Sequence, residues 1–266
     1  MIYKFFYFLF KIFPSFRRWF WKKWYNIFAN KVQEIKFMNY GYSSKDLILD
    51  LKEEDLHNRY QIYLYHHVAS QIDLREKKVL EVGSGRGGGA SYIARYMKPS
   101  EIVGLDISEN AVKNCNQTYK LDNLSFVSGE SENLPFKDNY FDAVINVESS
   151  HCYRSMDKFV NEVTRVLKPF GYFLFCDLRR KSLVNEMMSS INVNNLKLIN
   201  HQNITSNVIE ATILMSKERN ESIKKLKSGL FKNILKSFAA VEGSKVHNSF
   251  KDGYLQYISA YCQKNA

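Results

Sequence analysis

Cysteine and proline are scarce: four of each in 266 residues. Cys115, Cys152, Cys176 and Cys262 lie far apart with no CxxC pair. That argues against a zinc ribbon or a disulfide framework and fits a reducing compartment. No His/Asp/Glu group has metal-ligand spacing, so no metal is expected. There is no internal repeat and no low-complexity run, and a charged fraction of 24% with few Pro and Gly does not suit a disordered chain. In the apolar N-terminal segment the longest uncharged run is "FFYFLF", between Lys4 and Lys11. It is too short to span about 30 Å of hydrocarbon, and no cleavage site follows it as in a signal peptide.

What is present is unevenly placed. Residues 1–36 hold eight Lys/Arg against Glu34 alone, which is +7 of the net +11, together with fourteen of the 39 aromatic residues and all three Trp. The remainder is nearly neutral, so diffuse nucleic-acid binding has little support. Residues 1–36 read as a basic, aromatic arm that meets an anionic membrane surface. The competing reading has its aromatics packed on the domain or closing over substrate. Residues 37–266 read as one domain, with its core at 72–180 and a lid plus the last strands at 181–266. The expected location is the cytoplasm, peripheral on the inner face of the membrane.

The most informative stretch is "VLEVGSGRGGGASYIARYM": a β-branched run, a glycine cluster, then helical spacing. Gly83, Gly85 and Gly88 satisfy GxGxxG, the dinucleotide fingerprint. Gly83, Gly85 and Gly87 with Glu81 before them equally satisfy the acid-GxGxG pattern of S-adenosylmethionine (SAM) enzymes. "EIVGLDIS" follows as a second strand ending in Asp106, about twenty residues on, where a ribose-binding acid belongs. "LSFVSGESENLPF", "FDAVINVESSHCY", a helix over "MDKFVNEVTRVLKP" and a strand over "GYFLFCDLR" complete an alternation that predicts a doubly wound, mostly parallel sheet. Ligands bind beyond the carboxyl ends of such strands.

In this order, acid-GxGxG, strand–Asp, G-E-x-E-x-L-P-F, F-D-x-V and LKPxG resemble the class I SAM-dependent methyltransferases. Over roughly residues 17–180, "FMNYGY", "NRYQIYLYHHVASQID", "VLEVGSGRGGGASY" and "NVESSHCY" are similar to the mycobacterial phthiotriol/phenolphthiotriol dimycocerosate methyltransferases. The resemblance implies a Rossmann-like fold with a seven-stranded sheet, SAM as cofactor, and a lipid or polyketide-like hydroxyl as acceptor. It also implies cofactor contacts from Glu81, Gly83, Ser84 and Gly85 at the amino-acid tail, and from Asp106 and Ile107 at the ribose. Glu130 and Ser131 would lie near the adenine, Asn146 below the sulfonium, and Tyr42 in a flap. Glu130 departs from the family's usual Asp, which puts its direct adenine contact in doubt. Ser108 is a better helix N-cap than Asp106, which leaves Asp106 for the ribose.

His151 follows the fourth strand, and Asp177 ends the fifth, the adjacent carboxyl end in this topology. An imidazole there suits a general base, and a carboxylate would orient it and stabilise its cation. Some sugar O-methyltransferases of this fold resemble the chain here, with a His after "ES" and an Asp after the fifth strand. The alternative is a loop histidine with a single hydrogen bond. The strand-four end lacks [DN]-P-P-[YFW], and Cys152 lacks a Pro-Cys context, so modification of nucleic acid is not expected. His66 and His67 share a helix expected over 55–72. Residues 206–241 read as a long helical stretch between strands six and seven. It suits a lid lined by Ile213, Met215 and Phe231, or else a homodimer contact or simple structural padding. Rival readings are C-methylation of a quinone or sterol-like acceptor, a non-catalytic SAM-binding or membrane-associated scaffold, and an NAD-dependent oxidoreductase.

Overall fold

The computed structural model describes residues 35–192, 195–224, 240 and 242–266. The N-terminal arm through Glu34, and Phe231, lie outside the described residues. Among the described residues two helices precede the sheet, α1 (Glu53–Leu56) and α2 (Arg59–Ala69). The helix expected over 55–72 is thus divided at His57–Asn58. The alternating part follows: β1 (Lys78–Val82), α3 (Gly88–Tyr96), β2 (Glu101–Asp106), α4 (Glu109–Thr118), β3 (Leu124–Ser128), β4 (Phe141–Val147), α5 (Met156–Val166) and β5 (Leu167–Arg180). Next come α6 (Val184–Ile191), β6 (Leu196–Asn203), α7 (Thr205–Lys224), α8 (Lys245–Lys251) and β7 (Leu255–Lys264).

The seven strands lie in the order β3-β2-β1-β4-β5-β7-β6. β1 to β5 pair in parallel, and β7 inserts antiparallel between β5 and β6. β1 and β4 are buried on both faces because helices cover both, as in α/β sheets. Ile62, Val68, Ile93 and Phe250 belong to the core on one side, and Phe159, Val163, Met187 and Ile191 to the core on the other. Ser108 caps α4 by accepting from the Ala111 N–H, and Ser155 caps α5 by accepting from that of Lys158. The "LKP" expected at the end of α5 is instead the start of β5. Pro169 cannot continue a helix, and Leu167 is already extended at φ −69°, ψ 137°.

The sheet order reverses between β1 and β4, which opens a crevice at their carboxyl ends. Over that crevice runs the segment 36–43. It is tied to α2 by the Tyr42 N–H donated to the Tyr60 carbonyl (2.9 Å), and to α7 by reciprocal bonds between Ser43 and Asn207. Met215 of α7 packs against Gly41, while Ile213 is 43% exposed. The expected lining role thus divides between a buried Met215 under the flap and an outward Ile213. Among the described residues no helix is long and apolar enough to cross a membrane, and no cluster of residues could hold a metal ion.

Candidate active site

The turn after β1 is built by hydrogen bonds from the Gly83 and Ser84 N–H groups to the Leu105 carbonyl, at 2.7 and 2.9 Å. Gly83 has φ +80°, and a side-chain carbon there would lie 2.3 Å from Ser149 Oγ. Only glycine meets both conditions. Asp106 Oδ2 accepts the Gly85 N–H (2.9 Å), and its Oδ1 accepts that of Ser108 (2.9 Å). The acid at the end of β2 therefore braces the glycine loop as well as facing the crevice. Burial raises its pKa above the ordinary carboxylate value, and these backbone donors partly offset that.

These elements surround one cavity. Its walls are residues 36–39, 82–86, 88–89, 105–108, 129–132, 147–149 and 152–154, with Tyr65. Of the residues selected from sequence, Gly83, Ser84, Gly85, Asp106, Ile107, Glu130 and Ser131 all line it. Tyr42, Glu81 and Asn146 do not. Tyr42 stacks on His67, with ring centroids 4.5 Å apart, and the flap faces the cavity with residues 36–39 instead. Asn146 is fully buried beneath the wall. Its Nδ2 lies 2.9 Å from the Val82 carbonyl, 2.8 Å from Ser149 Oγ and 3.0 Å from the Tyr153 hydroxyl, so it positions lining residues. His66 Nδ1 meets the Tyr92 hydroxyl at 2.8 Å, and burial drives His67 down to about 4.

Glu81 Oε2, Ser84 Oγ and Asn146 Oδ1 are buried without a partner around the glycine loop. Orphaned buried polar atoms are costly, and a ligand rich in donors and acceptors relieves them. Of the three, Ser84 is at the cavity wall with Asp106 and Glu130, and Glu81 and Asn146 stand one layer behind; SAM, with an ammonium, a carboxylate, two ribose hydroxyls and an adenine, fits such a polar wall. Asp106→Ala removes the brace for two backbone N–H groups together with the carboxylate expected at the ribose. The Kd for SAM should rise roughly 10–100-fold, about 1.4–2.8 kcal/mol. Titration calorimetry checks this, and an unchanged Kd would remove Asp106 from the cofactor site.

Next to the cavity, the 3-10 turn Ser150–Cys152 brings His151 to the end of β5. His151 Nδ1 lies 2.8 Å from Asp177 Oδ1. Asp177 is fully buried and also accepts from Ser150 Oγ, from the backbone N–H groups of His151 (2.8 Å) and Leu178 (2.7 Å), and from Arg179 at 3.0 Å. Burial alone would raise its pKa. His151 and Arg179 outweigh that and hold it well below the usual carboxylate range. An ionised carboxylate only accepts, so Nδ1 carries the hydrogen and Nε2 is left as the ring's acceptor, with the Cys152 side chain beside the ring. Burial pulls the imidazole pKa down, but Cys152 and Asp177 prevail and hold it well above its ordinary value.

Sequence reasoning passed over Glu148, which lines the cavity from the end of β4. It accepts from the Tyr257 hydroxyl and the Tyr40 N–H, and burial raises its pKa to about 7. Its φ of +52° is rare for a residue with a side chain and marks a site held by its surroundings. The abrupt switch from apolar strand to "ESSH" was the available signal.

The profile of a family described as "Methyltransferase domain" matches residues 80–175. The chain is 35% identical to the phthiotriol/phenolphthiotriol dimycocerosates methyltransferase of Mycobacterium tuberculosis, across 91% of this chain and 90% of that one. It is 42% identical to the fatty-acid O-methyltransferase of Mycolicibacterium smegmatis, across 67% of this chain and 66% of that one. Among solved structures, geranyl diphosphate C-methyltransferase from Streptomyces coelicolor, in complex with S-adenosyl-L-homocysteine, superposes with a TM-score of 0.64 at 16% identity. The superposition covers 91% of this chain and 96% of that one, and is a likeness of fold.

Proposed function

This chain belongs to the SAM-dependent methyltransferases, and we propose that it methylates an oxygen of a hydrophobic, lipid-like acceptor, with a hydroxyl as the receiving group. The observation that carries this reading is the 2.8 Å contact between His151 and the buried Asp177, beside the cofactor cavity. The cofactor supplies a methyl group activated on a sulfonium. Asp177 holds the Nδ1 hydrogen and fixes the ring, so His151 Nε2 receives the acceptor's proton as its oxygen is methylated. The paired carboxylate stabilises the imidazolium that results. Orientation of the acceptor by the cavity walls adds to the rate. The names of the two mycobacterial relatives, one acting on dimycocerosates and the other on fatty acids, support a lipid acceptor, and the second supports oxygen.

C-methylation is favoured by one observation: Glu148, raised to about 7 and lining the cavity, is a carboxyl able to take a carbon-bound proton. Incubation of the protein with methyl-labelled SAM and a lipid extract, followed by mass spectrometry, tests the assignment. An alkali-stable ether carrying one added CH2, with stoichiometric S-adenosylhomocysteine, is the expected result. A new C–CH3 bond would transfer the role to Glu148, and no S-adenosylhomocysteine would mean a non-catalytic binder.

A further inference from the structure

The glycine run continues through Gly88 and Gly89, which are the first two residues of α3. A side-chain carbon on Gly88 would lie 2.4 Å from the Lys36 carbonyl oxygen, and one on Gly89 would lie 2.0 Å from the Tyr65 ring. These two glycines are required for clearance. They let the flap and α2 rest directly on the first turn of α3. Tyr65 uses that space. It is 6% exposed, its ring lies 6.0 Å from that of Phe37, and it forms part of the cavity wall. Its hydroxyl donates to Glu81 Oε1 at 2.6 Å. Glu81 is fully buried, and its second oxygen has no partner.

We propose that Tyr65, itself in the cavity wall, is a positioning residue for the cofactor's amino-acid end, its hydroxyl fixing Glu81 one layer behind the wall so that the carboxylate's charge is held toward the ammonium group. The proposal rests on the reading of this cavity as a SAM site. Holding one carboxylate oxygen in a short bond confines the other to a single direction. A buried acceptor preset in this way loses little entropy when the cation arrives. The same contact makes α2, which lies outside the alternating sheet, part of the cofactor site.

Tyr65→Phe keeps the ring and removes only the donor. Two ligands separate its roles: S-adenosylhomocysteine has the amino-acid end, whereas methylthioadenosine keeps ribose and adenine but lacks it. The expected result is about a tenfold weaker Kd for S-adenosylhomocysteine, the scale of one charge-assisted hydrogen bond, with methylthioadenosine within about twofold of wild type. Equal losses for both ligands, or no loss for either, would overturn the proposal. Wild-type protein that binds neither ligand would instead overturn the reading of the cavity. A cycle with Glu81→Gln adds a second criterion: the two losses should be clearly less than additive, because Tyr65 acts through Glu81.

The pH dependence supplies a readout that packing would not move. Burial raises Glu81 to about 7, and the Tyr65 hydroxyl and the Ala90 N–H partly offset it. Asp106 on β2 faces it and raises it, while Cys115 on α4 and Tyr119 just beyond are themselves raised and stay neutral. Affinity for S-adenosylhomocysteine should therefore climb as pH rises through neutrality and Glu81 ionises. Removing the donor in Tyr65→Phe moves that climb to higher pH. Methylthioadenosine, which meets Asp106 but not Glu81, should lack the climb. Identical profiles for both ligands would overturn the proposal.

Discussion

Replacing His151 by alanine is expected to cut kcat by roughly 10²–10⁴-fold, the usual contribution of a general base. SAM affinity should stay within about twofold, because His151 is not among the residues lining the cofactor cavity. The wild-type profile has a defined sign. His151 must be neutral to accept a proton, and its pKa is held above the ordinary histidine value. kcat/KM should therefore rise with pH on a limb placed above that value, and His151→Ala should lose the limb. Single-turnover rates and melting curves on the same preparation check this. A folded variant with near-normal kcat would reduce His151 to a loop residue, with catalysis resting on orientation alone. Asp177→Asn is a harsher change than a simple orienting role suggests. Asp177 is buried and serves His151, Ser150, Arg179 and two backbone N–H groups, so its loss also costs stability, about 3–5 kcal/mol for a broken buried pair. His151→Ala and Asp177→Asn should be less than additive in kcat, because the two residues act as a unit.

Gly83→Ala is the second large effect. The new methyl carbon would lie 2.3 and 2.5 Å from Ser149 Oγ and Cβ and 2.9 Å from the Tyr153 hydroxyl, at φ +80°. Either the loop shifts or the end of β4 does, and both carry cavity walls. SAM binding should fall by roughly 100-fold or more, and unfolding free energy by about 1–3 kcal/mol for the strained backbone and overpacking. Adding Ser149→Gly removes the two shortest contacts and leaves the Tyr153 hydroxyl at 2.9 Å and the φ strain, so the double variant should recover part of the affinity and little of the stability. Calorimetry and thermal melts on the four proteins separate the two contributions. A single variant that binds SAM normally would show that the loop has slack the geometry does not indicate.

The parallel sheet was legible because its strands are short, apolar and punctuated by glycine and acidic turns. Gly83 and Asp106 sit where a strand stops and follow from the glycine pattern and strand order, whereas Glu130 came from the resemblance; all three line the cavity. The His151–Asp177 contact was legible for the same reason, since adjacent carboxyl ends place the two side chains within reach. Tyr42 was harder to place. Whether it or residues 36–39 face the cavity depends on the register of the flap, which is set by Tyr60, Gln61 and Asn207 on α2 and α7. No local pattern encodes that register. Tyr65 and Tyr257 meet Glu81 and Glu148 only after distant segments pack, across 16 and 109 positions of sequence. A buried hydroxyl of this kind has no signature beyond an aromatic residue at a core spacing.

The insertion of β7 between β5 and β6 has a consequence for biosynthesis. As the chain emerges, β5 keeps an unpaired edge, and β6 has no strand to join, until β7, the last strand of the sheet, has left the ribosome. Both edges then close together through a pairing of long sequence separation, which is slow and leaves strand edges open to other chains in the interval. Tyr257 arrives on that same strand with the hydroxyl that Glu148 accepts. The parallel strands β1 to β5 can thus assemble during translation, whereas Glu148 at the end of β4 gains its Tyr257 partner only afterwards.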